Sequence, residues 1–233
     1  MAVDGLLDKR QNRILDFVVR DYIQTKEPVS SARIRRRLRL KESPATVRNL
    51  VASLSEGGYL EQPHISAGRI PTDEAYRYFV DHLMVNVALV PSEIKRFEAV
   101  RDMDSEMIAR FFSDALNLLS ITSIRDADHD FFWQYGISYL LKEPEFHARG
   151  PVSDIGYILD HTDEMFNIYH QIRQSNTQLF IGKENPVSQA TGCGVFYLVR
   201  ETSEQKERIL LIGPRRMNYE RALAFIHYFL ERI

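Results

Sequence analysis

Residues 62–72, QPHISAGRIPT, cannot continue a helix from either side. Pro63 and Pro71 each fix φ, remove a backbone donor and bias the residue before them to extended backbone. Gly68 reads as the supplier of the positive φ that a tight turn needs. The stretch holds no acid, so it predicts two short extended arms around a stiff, basic tip carrying His64 and Arg69. Helices on its two sides must therefore be joined through a hairpin.

Three helical patterns precede it. KRQNRILDFVVRDYIQT (9–25) places Ile14, Phe17, Val18 and Tyr22 on one face, and EPV ends it. Ser30 or Ser31 then caps ARIRRRLRL (32–40), with Ile34 and Leu38 inward and the arginines outward. In SPATVRNLVASLSEGG (43–58), Ser43 stands at the N-cap and Pro44 at N1, where its missing N–H costs nothing. Val47, Leu50, Val51 and Leu54 form the seam, and Gly57-Gly58 end the helix. After the loop, Thr72 or Asp73 caps DEAYRYFVDHLM. Three helices, a hairpin and a further helix outline a winged helix-turn-helix domain over residues 1–85, with 62–72 as the wing.

Charge and side-chain type give this segment its chemistry. Residues 1–83 carry 14 Lys and Arg against 11 Asp and Glu, whereas the remaining 150 residues carry 16 against 21. A basic front and an acidic back point to a polyanionic partner for the first segment. Opposite the apolar seam of the third helix stand Ala45, Thr46, Arg48, Asn49 and Ser53. Arg reads guanine, Asn reads adenine, and small residues lie beside thymine methyls. A recognition helix makes such contacts through its first turns. RIRRRLRLK (33–41) packs six basic residues into nine just before that helix, and such a run neutralises phosphates. The expected duplex-DNA interface is Arg35, Arg36, Arg39, Ser43, Ala45, Thr46, Arg48, Asn49, His64 and Arg69.

Residues 86–233 read differently. Helical periodicity extends over Pro91–Ser120, with Ile108, Phe111, Phe112, Ala115, Leu118 and Leu119 apolar. After a polar break, SIRDADHD (123–130), the strands FFWQYGISYLL, QLFIGKE, GVFYLVRE and ERILLIG are expected. A helix over 153–172 lies between the first two, and a last helix follows Asn218. The fold class is α+β around a mostly antiparallel sheet. Trp133, Tyr135, Phe196 and Tyr197 read as core and sheet-face residues. The seven histidines show no metal-ligand spacing, and the single Cys193 reads as a buried thiol. No Gly-rich phosphate cradle is present, so neither an enzyme nor a bound metal or cofactor is expected. The apolar run LMVNVALV (83–90) is far short of a bilayer span, and no secretory segment is recognised, so a cytoplasmic protein is expected. A two-fold dimer is expected through Phe111 and Phe112 and through the last helix. There Tyr219, Leu223, Ile226 and Leu230 form a stripe, widened by Phe225, Tyr228 and Phe229.

EPVSS, SPATVRN, GYLEQPHISAGRIPTDEAYRYFVD, IGKENP and IGPRRMNYERA closely resemble the HrcA family of bacterial heat-shock repressors. The resemblance implies a dimeric repressor that binds an inverted-repeat operator ahead of chaperone genes, loses DNA on heating and depends on the chaperonin for its active form. It also implies a GAF-like fold for 86–233, interrupted in the family by an inserted dimerisation domain that is reduced here near 124–131. The chain departs from the family pattern at Leu50 (usually an acid), at Ile65 (usually Thr) and at Glu74-Ala75 (usually Lys-Gly). A ligand-gated regulator using a pocket in the GAF-like domain is the alternative. An enzyme with a winged-helix appendage ranks last.

Overall fold

The computed structural model describes residues 7–98, 104–126, 129–201 and 206–231. The middle of the helix expected over Pro91–Ser120, residues 99–103, and the centre of the polar break, residues 127–128, lie outside them. Contacts divide the chain into two compact units, Met1–Val85 and Asn86–Ile233.

The first unit begins with helix α1, Lys9–Thr25. Asp8 caps it by accepting from the backbone of Arg10 and Gln11, and Gln11 returns the bond in a capping box. Its buried face is Ile14, Leu15, Val18 and Val19, so the inward stripe is rotated from the expected one and Phe17 and Tyr22 stand at its margin. Helix α2, Ser31–Arg37, is capped by Ser30, and helix α3, Pro44–Glu56, by Ser43. Strands β1, Leu60–Glu61, and β2, Ile70–Pro71, pair antiparallel. Helix α4, Asp73–Tyr78, follows the cap Thr72 and runs on as a π-helical turn, Phe79–Leu83. Tyr78 ties this end to α1 by donating to Asn12 Oδ1 at 2.8 Å.

In the second unit, helices α5, Pro91–Glu98, and α6, Ser105–Leu116, precede strand β3, Leu119–Asp126, and strand β4, His129–Tyr135. Short helix α7, Ile137–Leu141, and helices α8, Arg149–Asp160, and α9, Thr162–Ile172, come next. Strands β5, Thr177–Ile181, β6, Cys193–Glu201, and β7, Lys206–Pro214, complete the sheet before helix α10, Tyr219–Glu231. The strand order is β4-β3-β7-β6-β5, antiparallel throughout.

Strand alternation sends β6 to both faces. Val195, Tyr197 and Val199 join the core built with Phe166 and Tyr169 of α9. Phe196 instead meets Tyr219 of α10, and the Arg200 guanidinium lies over the Phe229 ring. Adjacent residues of β7 likewise carry charge to opposite sides. Fully buried Glu207 accepts from Ser105 and lies 2.7 Å from Arg200, whereas Arg208 donates to Ser123 at 2.8 Å and pairs with Asp130.

Four expectations need correction. The polar break is strand in its described residues, 123–126 in β3 and 129–130 in β4, and β3 begins at Leu119, inside the end of the expected helix, because it lies within the sheet and buries Ser120, Thr122 and Ser123. The strand expected over FFWQYGISYLL stops at Tyr135. Gly136 turns the chain with φ 91°, and a Cβ there would stand 2.1 Å from the Leu118 carbonyl oxygen, so ISYLL becomes α7. The helix over 153–172 is two helices broken at His161, whose φ and ψ are −119° and 34°. Finally, the aromatic rings reserved for pairing are core. Phe97 of α5 stacks edge-on against Phe111, Tyr228 and Phe229, and Phe112 meets Phe229 at 5.1 Å. The buried face of α10 is Tyr219, Ala222, Phe225, Ile226 and Phe229, so Phe225 and Phe229 face inward with Tyr219 and Ile226 of the stripe, while Leu223, Tyr228 and Leu230 are half-buried.

Removing the Phe112 ring therefore opens a cavity. Phe112→Ala should cost about 3–5 kcal/mol, seen as a lower midpoint in chemical denaturation of the full chain. A variant that keeps the parent's midpoint and loses only self-association would contradict this packing.

Candidate nucleic-acid interface

Helix α3 begins where local chemistry starts it. Ser43 Oγ accepts from the Thr46 N–H at 3.1 Å and lies 2.9 Å from Thr46 Oγ1, and Pro44 occupies the first turn. Val47, Val51 and Leu54 are buried, which turns Ala45, Arg48 and Asn49 into solvent on the first two turns. Leu50 is half-buried at the edge of the seam. Ser53 is not available for an outside contact: it donates to the Leu50 carbonyl and accepts from Gln11 Nε2 at 3.1 Å.

The basic run before α3 divides into three roles. Arg33 turns inward. Its Nη2 donates to Asp21 Oδ1 at 3.0 Å and its Nε lies 2.9 Å from Oδ2, a charge-assisted fork. Arg35 donates from Nε to the Glu42 carbonyl at 3.0 Å, fixing the link between α2 and α3. Arg36, Arg37, Arg39 and Arg48 are exposed and have no acidic partner among the described residues. Arg39 holds a left-handed backbone, φ 49°, at the end of α2. There Leu40 N–H bonds the Arg35 carbonyl and Arg39 N–H bonds that of Arg36, the pattern that glycine usually completes. Arg35, Arg36, Arg39 and Arg48 line one concavity of about 520 Å³, together with Ser31 and Pro44. No acid lines it. Guanidinium groups in this number, beside the start of α3, favour an anion.

The loop after α3 is braced. Gln62 Nε2 donates to the carbonyls of Ile65 and Ala67 at 2.8 and 2.9 Å, and Ala67 N–H closes a turn on His64. His64 is exposed at the tip. Arg69 is not at the tip. It forms an antiparallel bridge with Val29, with N–H to carbonyl distances of 2.8 and 2.9 Å, and its Nε donates to Ser55 Oγ of α3 at 3.1 Å. Gly68 does not supply a positive φ; the glycines that do are Gly58, Gly136 and Gly182. Its role is close approach, since a Cβ there would lie 2.5 and 2.6 Å from the Val29 carbonyl carbon and oxygen.

Of the sequence-derived set, Arg35, Arg36, Arg39 and Arg48 are thus brought to one hollow. Ala45 and Asn49 stand on the exposed face beside it, Ser43 and Thr46 hold the helix start, and His64 stands at the loop tip while Arg69 is held at its base. The braces Gln62, Ser55 and Asp21 were missed. Only Asp21 carries a signal: an acid three residues after Val18, on the inner side of α1, requires a cation.

Among the described residues of the second unit, Arg200, Arg208 and Arg216 are buried and paired with acids rather than turned outward. Burial pushes the Cys193 thiol up to about 12 and keeps it protonated. Some of the unit's inward polar groups pair with one another: His170 Nδ1 lies 2.9 Å from Tyr197 Oη, and Arg208 is held by Ser123 and Asp130. No described helix is long and apolar enough to cross a membrane.

Comparison with known proteins adds to this geometry. Residues 73–223 match the family model described as the HrcA protein C terminal domain. The chain is 41% identical over 125 residues to the heat-inducible transcription repressor HrcA of Symbiobacterium thermophilum, covering 51% of this chain and 37% of that protein. It is 55% identical over 87 residues to the repressor of the same name from Moorella thermoacetica, covering 37% of this chain and 25% of that one. The chain thus spans well under half of either relative. Among solved structures, a hypothetical protein determined at 2.2 Å matches in fold with a TM-score of 0.81 and 18% identity over 97% of both chains.

The Gly68 seat is open to a simple test. Gly68→Ala should destabilise the first unit by about 1–3 kcal/mol, the usual cost of overpacking, because the opposing atoms are backbone. Unchanged urea denaturation would show that the loop does not rest on Val29.

Proposed function

The chain belongs to the HrcA family, and we propose that it is a sequence-specific transcriptional repressor of heat-shock genes that binds an inverted-repeat operator as a dimer. In this reading residues 1–85 are a winged helix-turn-helix, and α3 enters the major groove. Arg48 and Asn49 meet base edges there, with Ala45 against the groove floor. Arg35, Arg36 and Arg39 hold phosphates in the hollow beside the helix start, while His64 follows the backbone from the loop. Residues 86–233 form a GAF-like regulatory and pairing domain, and the chaperonin is the partner that maintains the active form in the cytoplasm. The observation that carries the reading is the convergence of four arginines on the exposed, base-reading end of α3. Pairing uses a surface other than the aromatic rings of α6 and α10, which are inside the second unit.

Selection of bound duplexes from a random pool tests the whole reading. An inverted repeat with half-sites roughly 34 Å apart, about one helical turn, is expected; a pool that enriches no sequence would overturn it. On the selected duplex, Arg48→Ala and Asn49→Ala should each weaken binding by about 1–3 kcal/mol and leave binding to shuffled DNA almost unchanged. Equal losses on both duplexes would remove the base-reading role.

Arg39 separates stability from function. Arg39→Gly relieves a left-handed side chain and should raise stability by up to about 1 kcal/mol. The same change should lower the slope of log affinity against log salt by about one unit. A variant with an unchanged slope would place Arg39 off the phosphates.

A further inference from the structure

The loop tip carries an apolar side chain where a cation was expected. Ile65 is 99% exposed, more than any other large hydrophobic residue among those described. It does not sit on a floppy segment. The Gln62 side chain grips the carbonyls on both sides of Ser66, the His64–Ala67 turn closes behind it, and Gly68 is seated on Val29. Ile65 is also β-branched, so its χ1 is stiff. A rigid loop that presents one isoleucine wholly to water has prepaid the ordering cost of burying it elsewhere.

The size of the feature limits what can bury it. A stable protein partner needs roughly 800 Å² per side, which one isoleucine between histidine and serine does not provide. A minor groove about 6 Å wide admits a single side chain, and isoleucine is among the residues that wedge against or between base steps there. Nothing in 62–72 repels a polyanion, since the stretch has no acid. Arg69, the residue expected to reach a groove, is drawn back to Val29 and Ser55, leaving Ile65 foremost.

We propose that Ile65 is a DNA-contacting residue of the wing, seated as an apolar wedge in the minor groove. The inference rests on the repressor reading above. Such a contact adds affinity without releasing counterions, so it acts equally at every salt concentration. It also favours sites whose base step under the tip opens easily, such as TA or CA/TG steps.

The test is a salt series of full-chain binding to the selected duplex. Ile65→Thr, which keeps the branch and replaces the ethyl arm by a hydroxyl, should weaken binding roughly 5- to 10-fold with the slope unchanged, the loss expected for removing about two buried carbons. Ile65→Val, one methylene shorter, should lose less than that, no more than about 4-fold. Because the side chain is exposed to solvent, thermal unfolding of both variants should match the parent. Replacing a flexible step under the tip with a stiff A-tract should weaken the parent more than Ile65→Thr. Parent-like affinity of Ile65→Thr, or a loss that appears as a changed salt slope, would overturn the inference alone. A parent that does not prefer the selected duplex to shuffled DNA would sink the repressor reading and this inference with it.

Discussion

Two hydrogen bonds between Val29 and Arg69 join parts of the first unit that the chain itself keeps far apart. Val29 immediately precedes Ser30, the cap of α2, so the bridge fixes where that helix starts. On the other side Arg69 leads directly into β2, and its guanidinium reaches Ser55 on α3. One backbone pair therefore references α2, α3 and the loop to one another. Gly68 is the residue that lets the two backbones meet, and any side chain there would push them apart. The proposed DNA-binding surface, with its arginine hollow and its loop tip, has the geometry it has because this seam holds.

The distribution of charge follows from what each arginine can reach. Arg33 faces a buried acid on α1 and is consumed in a two-pronged pair, and removing one partner of such a pair would leave a buried charge unmatched. Arg35, Arg36 and Arg37, two to four positions on, are exposed and pair with no acid among the described residues. The same helix thus spends one guanidinium on its own attachment and keeps others for an outside anion. In the second unit the balance differs. Arg200 and Arg208 sit on the sheet, covered by Phe229 and Phe166 and matched by Glu207 and Asp130. That unit keeps these charges internal.

Much of the first unit was legible because its decisive signals are local. Ser43-Pro44 starts a helix whatever surrounds it, and the apolar seam then determines which side chains face out. Arg69 was misplaced because sequence gives its position in the loop but not the serine that captures it. Gly68 was identified as indispensable for the wrong physical reason, since close approach to Val29 is a tertiary fact. In the second unit, Ser120 reads as the end of a helix and Ser123 as the start of a polar break because their burial in β3 comes from neighbouring strands and helices. The inward face of α10 was misjudged for a related reason. An all-round aromatic helix offers several apolar stripes, and only Phe97 and Phe112 decide which one packs.

The claim at the centre of this account is that duplex DNA is held by α2, the first turns of α3 and the braced loop. Amide hydrogen exchange of the full chain, with and without the selected duplex, tests it directly. The account predicts slowed exchange across residues 31–50 and 62–69, with the strands of the second unit unchanged. Protection confined to residues 86–233, with none in those two segments, would contradict it.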